Sequence, residues 1–302
     1  MKKIISFILL LATLMTTLFL YSCGEDPKPE EEVIDMHTFK IHHNASYGDH
    51  ERQVLDVAVP TNKKGQTVGL VLMIHGGGWT AGDKEIYYDE VSRWANEYGY
   101  VAAAINYRYA DGDDVTTDDM LEDIDAALAE IKSIAQSYGV TTKKALLTGG
   151  SAGAHLSLLY SYKCADTAPI KPAAVVSLSG PTDLYDKGYY EDNPIADDII
   201  DLMSALTGES FGPYSYEKAE EALKYASPTT YVDTAVPTII CHGTLDSVVP
   251  VSNAYTLDEL LTEAGITHEL IIFENSNHGL ESDPDMSALM SERMYIYARK
   301  YL

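Results

Sequence analysis

Buried runs and amphipathic stretches alternate along most of this chain. Short apolar runs predict buried strands at 68–75, 100–106, 144–149, 173–179, 236–242 and 268–273. Apolar residues at helical spacing predict helices over 85–97, 117–138, 152–163, 251–264 and 286–301. Residues 36–43 and 53–60 alternate enough to predict an antiparallel pair at a sheet edge. Repeated β-α units with short connections predict an α/β fold, with a mostly parallel central sheet and helices on both faces.

One long segment interrupts this alternation. Residues 183–230 are polar, acidic and rich in tyrosine, and they are too long for an ordinary connection between a strand and a helix. They are predicted to form a helical cap insertion over the carboxyl end of the sheet. The six tyrosines that mark this segment are Tyr185, Tyr189, Tyr190, Tyr214, Tyr216 and Tyr225.

The N-terminus is typical of a targeting segment. Lys2 and Lys3 precede an almost wholly apolar run from 4 to 20, which ends just before Cys23. Residues 1–22 are therefore predicted to be a signal peptide, and their end resembles a bacterial lipobox with lipidation at Cys23. An uncleaved anchor helix is the alternative. Either one predicts a cell-envelope protein held to a membrane, with 23–35 as an acidic tether and 36–302 as one catalytic domain.

The charge balance limits the partners. Lys and Arg total 21 against 46 Asp and Glu, a formal net charge of −25 over 302 residues. Such a surface disfavours nucleic acid, and it disfavours a charge-driven contact with an anionic bilayer. Membrane association is thus expected through the N-terminal lipid anchor alone. Cys164 and Cys241 are expected to be free and buried, because the predicted elements place them at opposite ends of the sheet.

Two glycine-rich motifs each follow a predicted strand. His-Gly-Gly-Gly-Trp occupies positions 75–79, and Gly-Gly-Ser-Ala-Gly occupies positions 149–153. The second motif fits G-x-S-x-G, in which a sharp strand-to-helix turn raises the serine hydroxyl above the sheet. Ser151 is therefore the predicted nucleophile, and the two motifs in this order predict a serine hydrolase.

Backbone amides beside these motifs are the predicted oxyanion hole. Such loops direct N–H groups at the negative charge that develops on a carbonyl oxygen, and here the donors are expected from Gly77, Gly78 and Ala152. None of the nine histidines joins a cysteine or a pair of carboxylates at metal-ligand spacing. Neither a metal nor a cofactor is therefore expected.

A serine nucleophile requires a histidine base that is oriented by a carboxylate. On a parallel sheet that carries such a serine elbow, the acid follows the serine along the chain, and the histidine follows the acid. His278, in the loop before the last predicted helix, is the predicted base, since His242 precedes the nearest loop acid and His268 lies within a predicted strand. Asp246 is the predicted acid, with Asp183 as the alternative.

Other motif residues are expected to support the site. His75 is expected to bond to backbone and hold the glycine loop, and His155 is expected to pack within the helix after Ser151. Trp79 is predicted to wall the acyl pocket, with core packing as its alternative. Tyr189 and Tyr190 are predicted to offer flat apolar faces to a sugar ring or a phenolic acyl group. Plain packing within the cap is the alternative for these tyrosines.

From Val54 onward the chain resembles the α/β-hydrolases of the esterase branch that uses His-Gly-Gly-Gly. The resemblance is carried by His75–Trp79, Asn106–Arg108, Gly149–His155, Ala226–Pro228, His242–Asp246 and Asn277–Gly279. Gln53–Val57 and the Gly-Trp pair resemble secreted bacterial carbohydrate esterases of the acetylxylan and feruloyl types.

The resemblance implies a serine carboxylic-ester hydrolase that deacylates small-molecule or oligosaccharide esters, with acetyl or feruloyl groups on plant polysaccharide fragments. Prolyl-oligopeptidase-like peptidases and arylformamidases share much of this pattern and remain alternatives. A catalytically inactive surface binding protein of the same fold is a further alternative.

Overall fold

Eight strands form one sheet in the computed structural model, which describes residues 37–191, 193–212 and 215–302. The strands are β1 Phe39–Ser46, β2 Val54–Pro60, β3 Leu70–Ile74, β4 Val101–Ile105, β5 Lys144–Gly150, β6 Lys171–Leu178, β7 Thr238–Gly243 and β8 His268–Phe273. Their order across the sheet is β1-β2-β4-β3-β5-β6-β7-β8. Strand β2 is antiparallel to both β1 and β4, and every other pairing is parallel. The predicted α/β fold, with its antiparallel pair at one edge, is confirmed.

Seven α-helices accompany these strands within the described ranges. They are α1 Tyr88–Asn96, α2 Thr117–Ser137, α3 Ala152–Lys163, α4 Ala196–Thr207, α5 Glu220–Tyr225, α6 Ser252–Glu263 and α7 Pro284–Tyr301. Short 3₁₀ helices cover Thr61–Lys63, Lys84–Tyr87, Lys187–Tyr189, Tyr216–Ala219 and Pro228–Thr234. The helix predicted from residue 85 thus begins as a 3₁₀ turn, because Asp83 caps the amide of Glu85 and the α-helix starts only at Tyr88.

Alternating side chains on the central strands supply two separate apolar cores. In β3, the side chains of Leu70, Leu72 and Ile74 join the core with α2, α3, α6 and the cap, whereas those of Val71 and Met73 join the core with α1 and α7. Both faces of the sheet are therefore covered. This explains why the parallel strands are continuous apolar runs and not alternating ones.

The insertion predicted at 183–230 is helical. It contains α4, α5 and three of the 3₁₀ turns, and its apolar residues join the core on the α3 face of the sheet. Helix α4 ends at Gly208, which takes a left-handed φ of 74°. Tyr214 lies outside the described residues.

The two cysteines of the described region are free, as expected. Cys241 is buried, but Cys164 is only half-buried, so the expectation of two buried cysteines is wrong for Cys164. Cys164 is the C-cap of α3, where the helix emerges from the core. The predicted signal peptide, the lipidation site Cys23 and the tether lie outside the described residues. Among the helices that are described, none combines the length and apolarity needed to cross a bilayer.

Candidate active site

The turn between β5 and α3 holds Ser151 in a strained backbone conformation. Its φ of 54° and ψ of −122° are unusual for a residue with a side chain, and α3 begins at the next residue. Gly153 lies so close to β3 that a Cβ there would overlap the carbonyl oxygen of Ile74. The small residue two positions after the serine therefore lets the elbow pack against the neighbouring strand.

The loop after β3 is held by His75. Its Nδ1 lies 2.7 Å from the Gly76 carbonyl oxygen, and its Nε2 lies 3.1 Å from a guanidinium nitrogen of Arg52. Because arginine only donates, Nε2 accepts and Nδ1–H donates to Gly76, which defines a neutral imidazole. Burial lowers the pKa of His75 to about 4, consistent with that neutral form.

Three amides beside Ser151 have no hydrogen-bond acceptor among the described residues. Gly77, with a φ of 112°, and Gly78 donate no hydrogen bond from their N–H groups to any residue that the structure describes. Ala152 is the first residue of α3, so its amide has no acceptor within the helix. These are the donors that the sequence predicts for the oxyanion hole, and their amides are left to bind an oxygen from outside the protein.

His155 connects the glycine loop to the cap. Trp79 donates from Nε1 to Nδ1 of His155 over 3.1 Å, and the other ring nitrogen, Nε2, lies 2.7 Å from the Ala226 carbonyl oxygen. Indole is only a donor, so His155 is neutral and carries its proton on Nε2. Burial lowers its pKa to about 4. His155 thus packs within α3, as expected, and also fixes the ring of Trp79.

Asp246 and His278 are brought together at the ends of β7 and β8. His278 Nδ1 lies 2.8 Å from Asp246 Oδ2, while Asp246 Oδ1 accepts from the amides of Val248 and Val249, each over 2.9 Å. Nε2 of His278 is buried and makes no hydrogen bond to a described residue. The ring is therefore oriented by the carboxylate, and its second nitrogen is left to exchange a proton.

The Asp246 carboxyl stays ionised. Burial raises its pKa, but the neighbouring His278 and the hydrogen bonds from His242 and His278 outweigh that effect, so the pKa lies well below its ordinary value. The alternative acid, Asp183, bonds instead to the amide of Tyr185 in the first turn of the cap, and burial raises its pKa. The structure pairs His278 with Asp246.

Sequence reasoning gave no role to His242, which contacts the acid directly. Its Nε2 lies 3.0 Å from the Val249 carbonyl oxygen and 3.2 Å from Asp246 Oδ2, and the side chain is 1% exposed. Asp246 is therefore approached by two imidazoles. The sequence does place His242 at the end of β7, four residues before Asp246, and this position could have indicated a contact with the acid. It was used only to exclude His242 as the base, because the base follows the acid along the chain.

A small apolar pocket adjoins Ser151. Its volume is about 30 Å³, and its lining residues are Gly78, Trp79, Ser151, Pro181, Tyr189, Ile199, Leu202, Met203, Val248 and Val249. The cap contributes Tyr189 and three side chains of α4. Trp79 thus lines a pocket beside the serine, where the sequence predicted a wall.

The structure separates the two tyrosines that were predicted to contact substrate. Tyr189 lines the pocket, and its hydroxyl donates to Oδ1 of Asn253 over 3.2 Å. Tyr190 does not line this pocket, so a substrate contact for Tyr190 stays a prediction. Its hydroxyl donates to the Leu184 carbonyl oxygen, and its ring stacks on Tyr216 with centroids 4.5 Å apart. The hydroxyl and the ring of Tyr190 are thus both in contact with other residues of the cap.

Across the described part of the chain, no group of three or more His, Cys, Asp or Glu side chains converges closely enough to hold a metal ion. The expectation that no metal takes part stays a prediction.

Comparison with known proteins adds family evidence. Residues 55–261 match the model of the BD-FAE family. A probable carboxylic ester hydrolase, LipM of Mycobacterium tuberculosis, is 30% identical over 191 residues, which cover 62% of this chain and 43% of LipM. Esterase LipQ of the same organism is 28% identical over 240 residues, covering 78% of this chain and 55% of LipQ. The chain spans about half the length of these curated relatives.

Solved structures show the same architecture. A truncated carbohydrate esterase from gut microbiota superposes with a TM-score of 0.66 at 20% identity, covering 86% of this chain and 98% of that one. Esterase B from Lactobacillus rhamnosis superposes with a TM-score of 0.71 at 16% identity, covering 99% and 95%. These likenesses confirm the α/β-hydrolase fold that the sequence predicts.

Proposed function

The chain belongs to the BD-FAE family and shares the α/β-hydrolase fold of esterases, and on that premise we propose that it is a serine hydrolase of carboxylic esters. Ser151 is the nucleophile, His278 the general base and Asp246 the orienting acid. The observation that carries the proposal is the pairing of His278 Nδ1 with Asp246 Oδ2 over 2.8 Å, at the same carboxyl edge of the parallel strands as the strained elbow of Ser151.

In the first half of the reaction, the Ser151 hydroxyl oxygen attacks the ester carbonyl carbon while Nε2 of His278 takes the hydroxyl proton. The carbonyl oxygen becomes an oxyanion, which accepts hydrogen bonds from the amides of Gly77, Gly78 and Ala152. Collapse of this intermediate breaks the bond to the alcohol. The alcohol leaves with the proton from His278, and the acyl group stays on Ser151.

In the second half, water replaces the alcohol. His278 removes a proton from the water as its oxygen attacks the acyl carbon, and the collapse that follows returns the proton to Ser151 and releases the carboxylic acid. Asp246 remains ionised throughout and holds Nδ1–H of the ring. Its lowered pKa follows from the same contacts.

Within this reaction class, we propose carbohydrate esters as substrates, with acetyl or feruloyl groups on plant polysaccharide fragments. Support comes from the sequence resemblance to secreted carbohydrate esterases. The structural neighbour described as a carbohydrate esterase supports the same substrate class. A second neighbour, a bifunctional GH43-CE protein of Bacteroides eggerthii, superposes with a TM-score of 0.68 at 21% identity, covering 86% of this chain and 38% of that one.

The test is a substrate screen with purified protein. Acetylated and feruloylated xylan fragments, proline-containing peptide amides and an aryl formamide are compared in kcat/KM. The proposal expects hydrolysis of at least one of the xylan esters, and expects Ser151→Ala to reduce kcat/KM for that ester by about 10³-fold or more. Ser161→Ala is the matched control, since Ser161 lies on α3 and its buried hydroxyl has no partner among the described residues. Preference for the amides would favour a peptidase or formamidase, and inactivity on all of them would favour a binding protein.

A cell-envelope location also stays a proposal. It rests on the basic start and apolar run before Cys23 in the sequence. Metabolic labelling with a fatty acid in a bacterial host should modify the protein, and Cys23→Ser should abolish the label. Equal labelling of both forms would contradict the lipid anchor.

A further inference from the structure

The pocket beside Ser151 is much smaller than an aromatic acyl group. Its volume is about 30 Å³, against about 150 Å³ for an engineered apolar cavity that binds benzene. The pocket therefore has room for a small alkyl group and not for an aromatic ring. A phenolic acyl group carries a ring and a connecting chain and does not fit this space.

The chemistry of the lining decides which half of an ester enters. Among the described lining residues, the side-chain polar groups other than Ser151 are the Trp79 Nε1–H and the Tyr189 hydroxyl, and these are already bonded to His155 and Asn253. A sugar ring buried here would lose its hydrogen bonds to water without gaining new ones, which costs free energy for each hydroxyl. A methyl group loses nothing on entering such a pocket and gains from leaving water.

Two parts of the pocket wall have little freedom to move. One is Leu202 of α4, which packs against the oxyanion loop, so that a Cβ on Gly78 would lie 3.0 Å from its Cδ1. The second is formed by Val248 and Val249, whose amides donate to Asp246 Oδ1. Because these two valines are hydrogen-bonded to Asp246, they cannot move away from the pocket without displacing Asp246 and His278.

We infer that this pocket accepts an acetyl group and excludes feruloyl and other long acyl groups, with Leu202 of the cap setting the limit. The inference rests on the proposed ester hydrolysis and narrows its substrate. The acetyl methyl enters the pocket, while the alcohol, including a sugar, lies on the open side of Ser151. An acetylated saccharide is thus the expected substrate, and a feruloylated one is not.

The experiment varies the acyl group with a constant leaving group. Values of kcat/KM are measured for the p-nitrophenyl esters of acetate, butyrate and octanoate. Methyl ferulate, which joins a large acyl group to a small alcohol, is compared with an acetylated xylo-oligosaccharide. Wild-type protein should prefer acetate to octanoate by at least about 100-fold, because the six additional methylenes of octanoate have no place in the pocket, and should leave methyl ferulate intact.

Two variants of α4 test the role of Leu202. Leu202→Ala should narrow the acetate-to-octanoate ratio by about ten-fold or more by opening the pocket. Ile200→Ala is the matched control, because Ile200 is buried on the same helix but does not line the pocket, and it should leave the ratio unchanged. Circular dichroism confirms that both variants fold.

The possible failures are distinct. Hydrolysis of methyl ferulate or octanoate as efficiently as acetate would overturn the size limit while leaving ester hydrolysis in place. An equal change of ratio in both variants would overturn the assignment to Leu202. If no ester is hydrolysed at all, the proposed function itself fails.

Discussion

The carboxyl end of the sheet and the cap that covers it reach the same pocket in different ways. Ser151, Asp246 and His278 follow β5, β7 and β8, so hydrogen-bonded neighbouring strands fix their backbones. The cap reaches the pocket through side chains of α4 and through Tyr189, whose positions depend on packing. The order of the strands in the sheet therefore fixes the positions of the catalytic residues. Side-chain packing fixes the positions of the cap residues that limit the size of the substrate.

His155 and His242 lie where the sheet and its loops meet. His155 bonds to Trp79 of the glycine loop and to Ala226 at the end of α5 in the cap. His242 bonds to Asp246 and to the loop that carries Val249. Substitutions can therefore separate effects on chemistry from effects on the cap.

The largest effect in this comparison is expected from Asp246→Asn. The amides of Val248 and Val249 would select the asparagine oxygen, so its NH₂ group would face Nδ1 of His278 and force that nitrogen to accept. The ring proton would then lie on Nε2, where it cannot take the proton of Ser151, and kcat should fall by about 10⁴-fold. Asp183→Asn is the matched control and should change kcat less than three-fold. Both values of kcat are measured in steady-state hydrolysis of p-nitrophenyl acetate. A larger loss of kcat from Asp183→Asn than from Asp246→Asn would show that Asp183 is the acid.

Acid should destabilise the glycine loop, which His75 holds, and the contact of His155 with the cap. His75 and His155 have pKa values of about 4 in the folded protein against 6.5 when unfolded. Between these values the unfolded chain binds protons that the native state does not, so stability is complete above pH 6.5 and falls as the pH drops toward 4. From pH 7.5 to pH 5 each histidine should remove about 2 kcal/mol from the free energy of unfolding.

Urea unfolding of wild type and His155→Gln at these two pH values measures this effect. The variant, although less stable at pH 7.5, should lose about 2 kcal/mol less than wild type on acidification. Identical losses in both proteins would show that His155 is not held neutral.

A smaller effect is expected from His242→Ala. Hydrogen bonds to a charged group contribute about 1.5–3 kcal/mol, so loosening Asp246 should lower kcat by roughly ten- to hundred-fold with little change in KM. His242→Gln, which places an N–H near the position of Nε2, should recover most of the loss. His268→Gln is a control for the loss of an imidazole far from the acid. A parallel rise in KM, or no recovery with glutamine, would indicate that His242 supports the fold and not the acid.

The smallest effect should come from Tyr190→Phe. This change removes the hydroxyl bond to the Leu184 carbonyl oxygen but keeps the ring on Tyr216. It should lower the free energy of unfolding by about 1 kcal/mol and leave the acetate-to-octanoate ratio unaltered. A shift in that ratio would indicate that Tyr190 contacts the substrate.

These contrasts explain how much the sequence could predict. The mostly parallel sheet with its antiparallel edge pair, the elbow at Ser151 and the contact of Asp246 with His278 follow from local signals, because a residue just after a parallel strand lies at a known edge of the sheet. Tyr190 could not be placed in this way, since its ring and hydroxyl have partners that only the folded cap brings near. The second imidazole on Asp246 was missed for the same reason. Position in the chain excluded His242 as the base but did not show what its ring touches.

The claim that Ser151 is an activated nucleophile is tested most directly by covalent labelling. A fluorophosphonate phosphonylates a serine that a neighbouring histidine activates, with loss of fluoride. Mass spectrometry of digested wild-type protein should locate one adduct, on the peptide that contains Ser151, and Ser151→Ala and His278→Ala should show none. No adduct on folded wild-type protein, or an adduct that persists in Ser151→Ala, would contradict the account.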